Sequence, residues 1–262
     1  MIGQEKLFER LVTSRLPKSN LFIGEEGCGK HSFVKEICDR HKLDYVDITD
    51  DISKELVDEL YISSKICAYV IDIVALSKKS RYINKENAIL KLVEEPPQSS
   101  VIFILAEYES QVIDTIKNRC VIWKFESYTH DYLKEIKYYS DDRIYTLLNT
   151  PGKVIQGNDE SYYQKLFGVC ESIISNIHKA NISNTLSLEK YMDFSDDTGY
   201  DLDLFFRCMK FMLYQKFLED ITHIDAFDLT TQFIEKLHTL NVNEKSLFDN
   251  YILELKGIYD KS

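Results

Sequence analysis

The stretch that decides the fold lies near the start of the chain and reads Leu21-Phe22-Ile23-Gly24-Glu25-Glu26-Gly27-Cys28-Gly29-Lys30-His31-Ser32. Its apolar beginning predicts a buried strand, and the amphipathic residues after it predict a helix. Between them lies the pattern GxxxxGK, whose glycines let successive backbone N–H groups surround one phosphate. The positive N-terminal end of the helix and the ammonium of Lys30 would add charge. The stretch therefore predicts a phosphate-binding loop made by Gly24, Gly27, Cys28, Gly29, Lys30, His31 and Ser32.

The metal ligands that usually accompany such a loop are incomplete. His31 stands where Ser or Thr normally ligates Mg²⁺, and Ser32 lies about 100° further around the helix. Asp72 ends an apolar strand, which is typical of a carboxylate that holds Mg²⁺, although a helix cap or a surface carboxylate is the plain alternative. Ile73 follows Asp72, so the position after this carboxylate lacks a Glu that could activate water for hydrolysis. We therefore expect weak or absent hydrolysis.

Apolar runs alternate with helical patterns over the first half of the chain. Such alternation predicts an α/β fold with a parallel sheet covered by helices on both faces. The predicted strands are 20–23, 45–48, 68–71, 101–105 and 121–125, and the predicted helices are 5–15, 30–40 and 84–94. After about residue 127 the helical period takes over, with apolar stripes that predict a packed helical core.

Composition restricts the function classes. The formal net charge of −11 excludes non-specific nucleic-acid binding through the overall field, so any DNA contact needs a local basic patch. The six cysteines are scattered without a CxxC pair, which argues against a zinc module or a disulfide framework. The N-terminus does not read as a signal peptide, and no stretch reaches the roughly 20 apolar residues of a membrane span. We expect a soluble, cytoplasmic protein with no membrane partner.

Residues 87–97, Asn-Ala-Ile-Leu-Lys-Leu-Val-Glu-Glu-Pro-Pro, resemble the NALLKxLEEPP segment of clamp-loader subunits. Three shorter segments resemble the same family in the same order, namely Gly3-Gln4, Asn118-Arg119-Cys120 and Pro151-Gly152-Lys153. The chain is thus similar over residues 1–157 to AAA+ clamp-loader subunits of the delta-prime type from bacterial DNA polymerase III. That resemblance implies a P-loop AAA+ domain over 1–126, a helical lid with the sensor-2 segment over 127–157, and a helical, collar-like oligomerisation domain over 158–262.

Departures from the family pattern qualify what the resemblance implies. The four-cysteine zinc module of cellular relatives is missing, so we expect no zinc. The sensor-1 strand ends in Glu107, where Thr or Asn is usual, which further weakens the case for a working ATPase. The chain is shorter than cellular relatives, which implies a compact phage version or another divergent one. The expected cofactor is ATP or ADP with Mg²⁺, held also by Asp72 and Lys153, unless the site has been lost.

The resemblance assigns roles to several cations. Arg119 would be an arginine finger that reaches the γ-phosphate held by a neighbouring subunit, because a guanidinium is permanently charged and presents a planar fork of donors. The alternative is a surface arginine that caps a helix. Lys153 would contact a phosphate or merely satisfy helix carbonyls. The basic residues Lys78, Lys79 and Arg81 would follow DNA phosphates or form a solvated loop.

The resulting hypothesis is a delta-prime-like clamp-loader subunit that does not hydrolyse ATP but supplies Arg119 to a neighbour. Its implied partners are the other clamp-loader subunits, a sliding clamp and primer–template DNA. Two alternatives stay open. One is a gamma-like ATPase whose His31 and Ser32 still support Mg²⁺, and the other is a structural subunit that only scaffolds a ring.

Overall fold

The computed structural model describes residues 3–63, 65–78, 82–179, 188, 192, 199–237 and 242–260. Contacts divide the chain into two compact units. The α/β unit comprises Met1–Tyr138 with Leu148–Gln156, and the helical unit comprises Tyr139–Leu147 with Gly157–Ser262. The segment 127–157, expected to form a lid of its own, is therefore divided between the two units.

The α/β unit is built on one parallel sheet, which confirms the predicted fold class. Its strands in chain order are β1 (Ser19–Ile23), β2 (Asp44–Asp47), β3 (Cys67–Asp72), β4 (Val101–Ala106) and β5 (Val121–Lys124). They pair in the order β2-β3-β4-β1-β5, and every pairing is parallel. The carboxyl ends of β1 and β3 therefore lie at the same edge of the sheet, separated by β4.

Helices cover both faces of this sheet. Residues of β1 alternate between two cores, with Leu21 and Ile23 on one face and Phe22 on the other. This alternation explains the continuous apolar runs, because each strand is buried on both sides. The helices of the α/β unit are α1 (Glu5–Thr13), α2 (Lys30–His41), α3 (Lys54–Ile62), α4 (Ile73–Lys78), α5 (Tyr82–Glu94), α6 (Asp114–Lys117), α7 (His130–Ile136) and α9 (Pro151–Gln156).

Among its described residues, the helical unit contains helices and short 3₁₀ turns around an apolar core. Its helices are α8 (Arg143–Leu147), α10 (Glu160–Asn176), α11 (Leu202–Glu219), α12 (Ile224–Leu237) and α13 (Glu244–Tyr259). The buried stripe of α10 is the predicted one, from Leu166 to Ile174. The other helices of the unit contribute buried side chains that include Phe205, Phe233 and Tyr251. None of the described helices combines the length and apolarity needed to cross a bilayer.

Candidate functional site

The loop between β1 and α2 has the backbone that the glycine pattern predicts. Gly27 and Gly29 have φ angles of 79° and 90°, in the left-handed region that favours glycine. Gly29 precedes α2, so its conformation turns the chain from the loop into the helix. Gly24 leaves no room for a side chain, because an added Cβ would lie 2.8 Å from Cys28 Sγ and 2.9 Å from Phe125 Cβ. The loop therefore depends on glycine at all three positions.

The Lys30 side chain folds back onto its own loop. Its ammonium Nζ donates to the carbonyl oxygens of Gly24 at 2.5 Å and Glu25 at 3.1 Å. Lys30 is only 8% exposed, so these carbonyls compensate for much of the water that the charge loses on burial. A phosphate would have to compete with these two carbonyls for the ammonium.

His31 binds the carboxylate that was predicted to hold Mg²⁺. Its Nε2 lies 2.9 Å from Asp72 Oδ2, and its Nδ1 lies 2.8 Å from the Tyr45 hydroxyl. Burial raises the pKa of Tyr45 to about 12, with the charge of Asp47 adding to the effect, so this hydroxyl keeps its proton. In the neutral imidazole, Tyr45 then donates to Nδ1, and the Nε2 hydrogen is donated to Asp72.

Both oxygens of Asp72 are engaged by protein donors. Oδ1 accepts the Ala75 N–H at 3.1 Å, as a cap of α4 would, while Oδ2 accepts His31. Burial alone would raise the pKa of Asp72, but the hydrogen bonds from His31 and Ala75, with the charges of His31 and Lys30, outweigh it and lower the pKa. Asp72 therefore stays ionised with its charge compensated inside the protein.

This arrangement does not fit the predicted magnesium site. Mg²⁺ needs oxygen ligands in near-octahedral geometry, whereas the atom presented to Asp72 Oδ2 is an imidazole nitrogen. Ser32 does not compensate for the missing hydroxyl, because it lies exposed on α2. In the part of the chain that the structure describes, no group of three or more His, Cys, Asp or Glu residues could hold a metal ion.

The segment that precedes and begins α9 packs directly on the phosphate loop. Lys153 Nζ lies 3.2 Å from Glu25 Oε2, and the Asn149 amide donates to the same oxygen at 2.7 Å. The Thr150 hydroxyl donates to Glu26 O at 2.9 Å. Lys153, predicted to meet a phosphate or helix carbonyls, thus meets a carboxylate of the loop itself.

Two glycines make the closest approach between α9 and the loop. The Gly152 N–H donates to Gly27 O at 2.8 Å. A Cβ added at Gly152 would lie 2.7 Å from Gly27 Cα, which is backbone and has no flexible side chain to move away. Both residues must be glycine for the segment to lie this close to the loop.

An aromatic side chain closes the other side of the loop. The Tyr128 hydroxyl donates to Cys28 O at 2.7 Å, and its ring lies against Gly3, where an added Cβ would lie 2.6 Å from Tyr128 Cε1. Burial raises the pKa of Tyr128 to about 12, so the hydroxyl remains a donor. Gln4, from the Gly3-Gln4 segment of the family resemblance, uses its side-chain amide on the backbone of Glu126, at 2.8 Å and 3.0 Å.

Carboxylates are concentrated around the loop. Glu25 and Glu26 belong to it, and Glu107, which follows β4, is 8% exposed. The nearest Glu107 oxygen lies 3.5 Å from the Glu26 N–H, a long contact. Three carboxylates therefore accompany the two lysines, Lys30 and Lys153, in a region predicted to receive a polyanion. Such a balance opposes phosphate binding.

Arg119 lies just after α6 and contacts residues of its own unit. Its NH1 donates to Thr115 O at 2.7 Å, and its NH2 lies 2.7 Å from Glu94 Oε1. This is the helix-capping contact of the alternative interpretation, extended by an ion pair with the NAILKLVEEPP segment. The side chain is 39% exposed, so it also lies at the surface where a neighbouring molecule could contact it.

The predicted DNA-contacting residues fall at the limit of the described chain. Lys79 and Arg81 lie outside the described residues, and Lys78 is described as the last residue of α4 without its side chain. Lys85, which extends the basic segment, donates to the carbonyl oxygens of Thr49 at 3.2 Å and Asp50 at 2.7 Å. The DNA contact therefore stays a prediction.

A protein-family comparison agrees with the sequence resemblance. The family model described as DNA polymerase III, delta subunit matches residues 44–129, which is 86 of the 262 residues, or about one third of the chain. The match includes both the 87–97 segment and Asn118-Arg119-Cys120. Resemblance to DNA polymerase III clamp-loader subunits is thus confirmed over this stretch. No curated protein gives a significant sequence match.

Several solved structures match most of this chain but have few residues identical to it. A DNA polymerase III gamma subunit-related protein from Thermotoga maritima is 14% identical, with 97% of this chain and 99% of that one covered and a TM-score of 0.49. The RuvB Holliday junction branch migration motor of the same organism is 16% identical, with 97% of this chain and 88% of that one covered and a TM-score of 0.49. The Aeropyrum pernix Orc1 protein in complex with DNA is 11% identical, with 98% of this chain and 83% of that one covered and a TM-score of 0.46. At these values no function is transferred from them.

Sequence reasoning missed the residues that close the loop. The GxxxxGK pattern accepts any residue at the position of Glu25, so it does not reveal the loop's own carboxylate. The pattern also does not include the residues that contact the loop from elsewhere in the chain, which are Tyr128, Asn149 and Thr150. One signal was available, because two consecutive acids in a phosphate-binding loop place negative charge where an anion should bind. Glu94 was likewise noticed only as part of a motif.

Proposed function

We propose that this chain is a delta-prime-like subunit of a clamp loader in DNA replication, which does not hydrolyse ATP but supplies Arg119 to the nucleotide of a neighbouring ATPase subunit. The observation that carries the proposal is the family match over residues 44–129, which spans the 87–97 segment and Arg119. The half-exposed Arg119 side chain supports a role toward a neighbour. The His31–Asp72 contact supports the loss of metal-dependent hydrolysis in this chain.

The proposed partners are the other clamp-loader subunits, a sliding clamp and primer–template DNA, and the proposed site of action is the cytoplasm. The basic segment that contains Lys78, Lys79 and Arg81 would contact DNA phosphates, because such contacts need positive charge but no recognition of the base sequence. The helical unit would hold the ring together, in keeping with the collar-like role expected for residues 158–262.

Two ATPase measurements test this function. The isolated chain should show no turnover that depends on Lys30, since robust Lys30-dependent turnover would make it a gamma-like ATPase. In the reconstituted complex with its ATPase subunits, clamp and primer–template DNA, Arg119→Ala should lower ATP turnover by about 10³-fold or more, as for other arginine fingers. Unchanged turnover of the complex would leave a structural scaffold as the better description.

Arg119→Lys is the matched variant for the second measurement. Lysine keeps the positive charge but replaces the planar fork of donors with a single ammonium. A finger that binds phosphate oxygens through two N–H groups should therefore lose most of its effect in Arg119→Lys. A residue that contributes only general positive charge at the interface should be rescued by lysine.

A further inference from the structure

Every carbonyl oxygen from Gly24 to Cys28 accepts a hydrogen bond from the α/β unit itself. Three of the four donors are cationic or hydroxyl side chains, and the fourth is a backbone amide of α9. The donors, in the order of the carbonyls, are Lys30 for the first two, then Thr150, the Gly152 N–H and Tyr128. The carbonyl groups of the loop thus have hydrogen-bond donors without a ligand, as buried backbone groups require.

The Glu25 carboxylate is the anionic partner of the segment that begins α9, the role that an anionic ligand would otherwise have. Its Oε2 accepts the Asn149 amide at 2.7 Å and lies 3.2 Å from Lys153 Nζ. A charged oxygen acceptor between an ammonium and an amide is what a phosphate oxygen would also provide. Lys153 is 19% exposed and Glu25 39%, so water screens this pair in part.

We propose that Glu25 is the internal anion that holds residues 149–153 on the phosphate loop, so that this segment is closed without nucleotide and nucleotide is kept out. The contacts of Gly152 with Gly27 show how little space separates the two segments. Glu26 and Glu107 add negative charge beside the loop, and His31 already occupies Asp72. A nucleotide would have to displace Glu25 from Lys153 and also overcome repulsion by these carboxylates.

The Glu25 contact lies within the chain's own loop, and its role does not depend on whether Arg119 acts on a neighbour. In subunits driven by nucleotide, a segment that contacts the phosphates is expected to close when the ligand binds, because the ligand stabilises the closed state. Here Glu25 supplies that stabilisation permanently. The segment should therefore behave as a fixed part of the α/β unit, both in the presence and in the absence of ATP.

Amide hydrogen exchange of the full-length protein tests the proposal, with the Gly152 N–H as the reporter because it donates to Gly27 O. In wild type, this amide should exchange slowly without nucleotide, and millimolar MgATP should change its rate by less than about twofold, since the hydrogen bond is already made. An amide that exchanges rapidly until MgATP is added would overturn the proposal. The wild-type measurement needs no variant, so it tests the proposal even if the variants fold poorly.

Two variants remove the ion pair from opposite ends. Glu25→Ala and Lys153→Met should each speed exchange of the Gly152 amide by about tenfold or more, since a charge-assisted contact is lost. Glu59→Ala is the matched control, because it removes the same charge from an exposed position on α3 outside the loop and should leave the rate unchanged. Circular dichroism establishes folding. Slow exchange of Gly152 in folded Glu25→Ala would show that Glu25 does not hold the segment.

Discussion

The Arg119 guanidinium lies 2.7 Å from the Glu94 carboxylate, which joins the two segments that carry the family resemblance. Glu94 ends α5, and Arg119 follows α6, so the pair also connects two helices at the surface of the α/β unit. Both side chains are about 40% exposed. An ion pair with this exposure is worth little, about 0–1 kcal/mol, so it orients Arg119 without holding it firmly.

The first prediction concerns Glu94. Glu94→Gln should change ATP turnover of the reconstituted complex by no more than about fivefold, because an exposed ion pair contributes at most about 1 kcal/mol. Arg119→Ala, in the same assay, should have the far larger effect of a lost finger. If Glu94→Gln abolished turnover as fully as Arg119→Ala, Glu94 would itself be required for turnover. The Arg119–Glu94 ion pair would then not be a weak contact that only orients Arg119.

The second prediction concerns Gln4, which is 3% exposed and exchanges two hydrogen bonds with the Glu126 backbone. Gln4→Ala should lower the free energy of unfolding by about 1–2 kcal/mol, since it removes both partly buried hydrogen bonds to the Glu126 backbone. Urea denaturation measures the change. The exposed Gln98 offers the control, as Gln98→Ala should stay within about 0.5 kcal/mol of wild type. Equal stabilities of the two variants would contradict this role of Gln4.

The sheet could be predicted from sequence because each strand is buried on both faces and is apolar throughout. Val101–Ala106 is wholly buried, and its apolar run alone identified it. The loop was equally visible, because glycines at positive φ and a following helix leave a local pattern. Local signals of this kind are written in adjacent residues, so no knowledge of the tertiary structure is needed to find them.

The partners of the loop could not be predicted, because they come from distant parts of the chain. Glu25 and Lys153 are separated by 128 positions, and His31 and Asp72 by 41. The sequence identified three of these four residues, but it assigned them to a phosphate or to Mg²⁺. Which oppositely charged groups meet is decided by the packing of α9 and β3 around the loop. The sequence pattern is the same whether a ligand or a carboxylate satisfies the cations.

The third prediction concerns a polar residue inside the sheet. Asn20 in β1 is fully buried, and its Oδ1 accepts the Trp123 indole N–H at 3.0 Å, while its amide donates to Pro17 O at 2.8 Å. Asn20→Leu keeps a similar volume but leaves that N–H and the carbonyl without partners. We expect a loss of about 2–4 kcal/mol in the free energy of unfolding.

A double-mutant cycle checks the cause of that loss. Trp123→Phe removes the indole N–H, so Asn20→Leu should cost less by about 1 kcal/mol in the Trp123→Phe background than in wild type. Both single variants and the double variant are measured by urea denaturation. Strict additivity would mean that the Asn20–Trp123 hydrogen bond contributes nothing and that the loss arises elsewhere.

The fourth prediction is a pH dependence in the helical unit. Asp141 accepts the Arg143 guanidinium, with NH2 at 2.7 Å from Oδ2, and also the Arg143 backbone N–H at 3.1 Å. The hydrogen bond from the Arg143 side chain is the largest influence and lowers the pKa of Asp141 below its ordinary value of 3.8, against a smaller opposing effect of burial. The ionised carboxylate is therefore favoured more in the folded state than in the unfolded state.

A depressed folded-state pKa adds stability above the unfolded value, and that stability is lost as the pH falls through the folded value. Asp141→Asn should therefore be less stable than wild type at neutral pH, and the difference between the two should shrink as the pH is lowered below about 4. Urea denaturation at a series of pH values measures it. The two proteins should converge at acid pH because wild-type Asp141 is then neutral as well. A difference that stays constant across this range would show that the carboxylate charge is not its source.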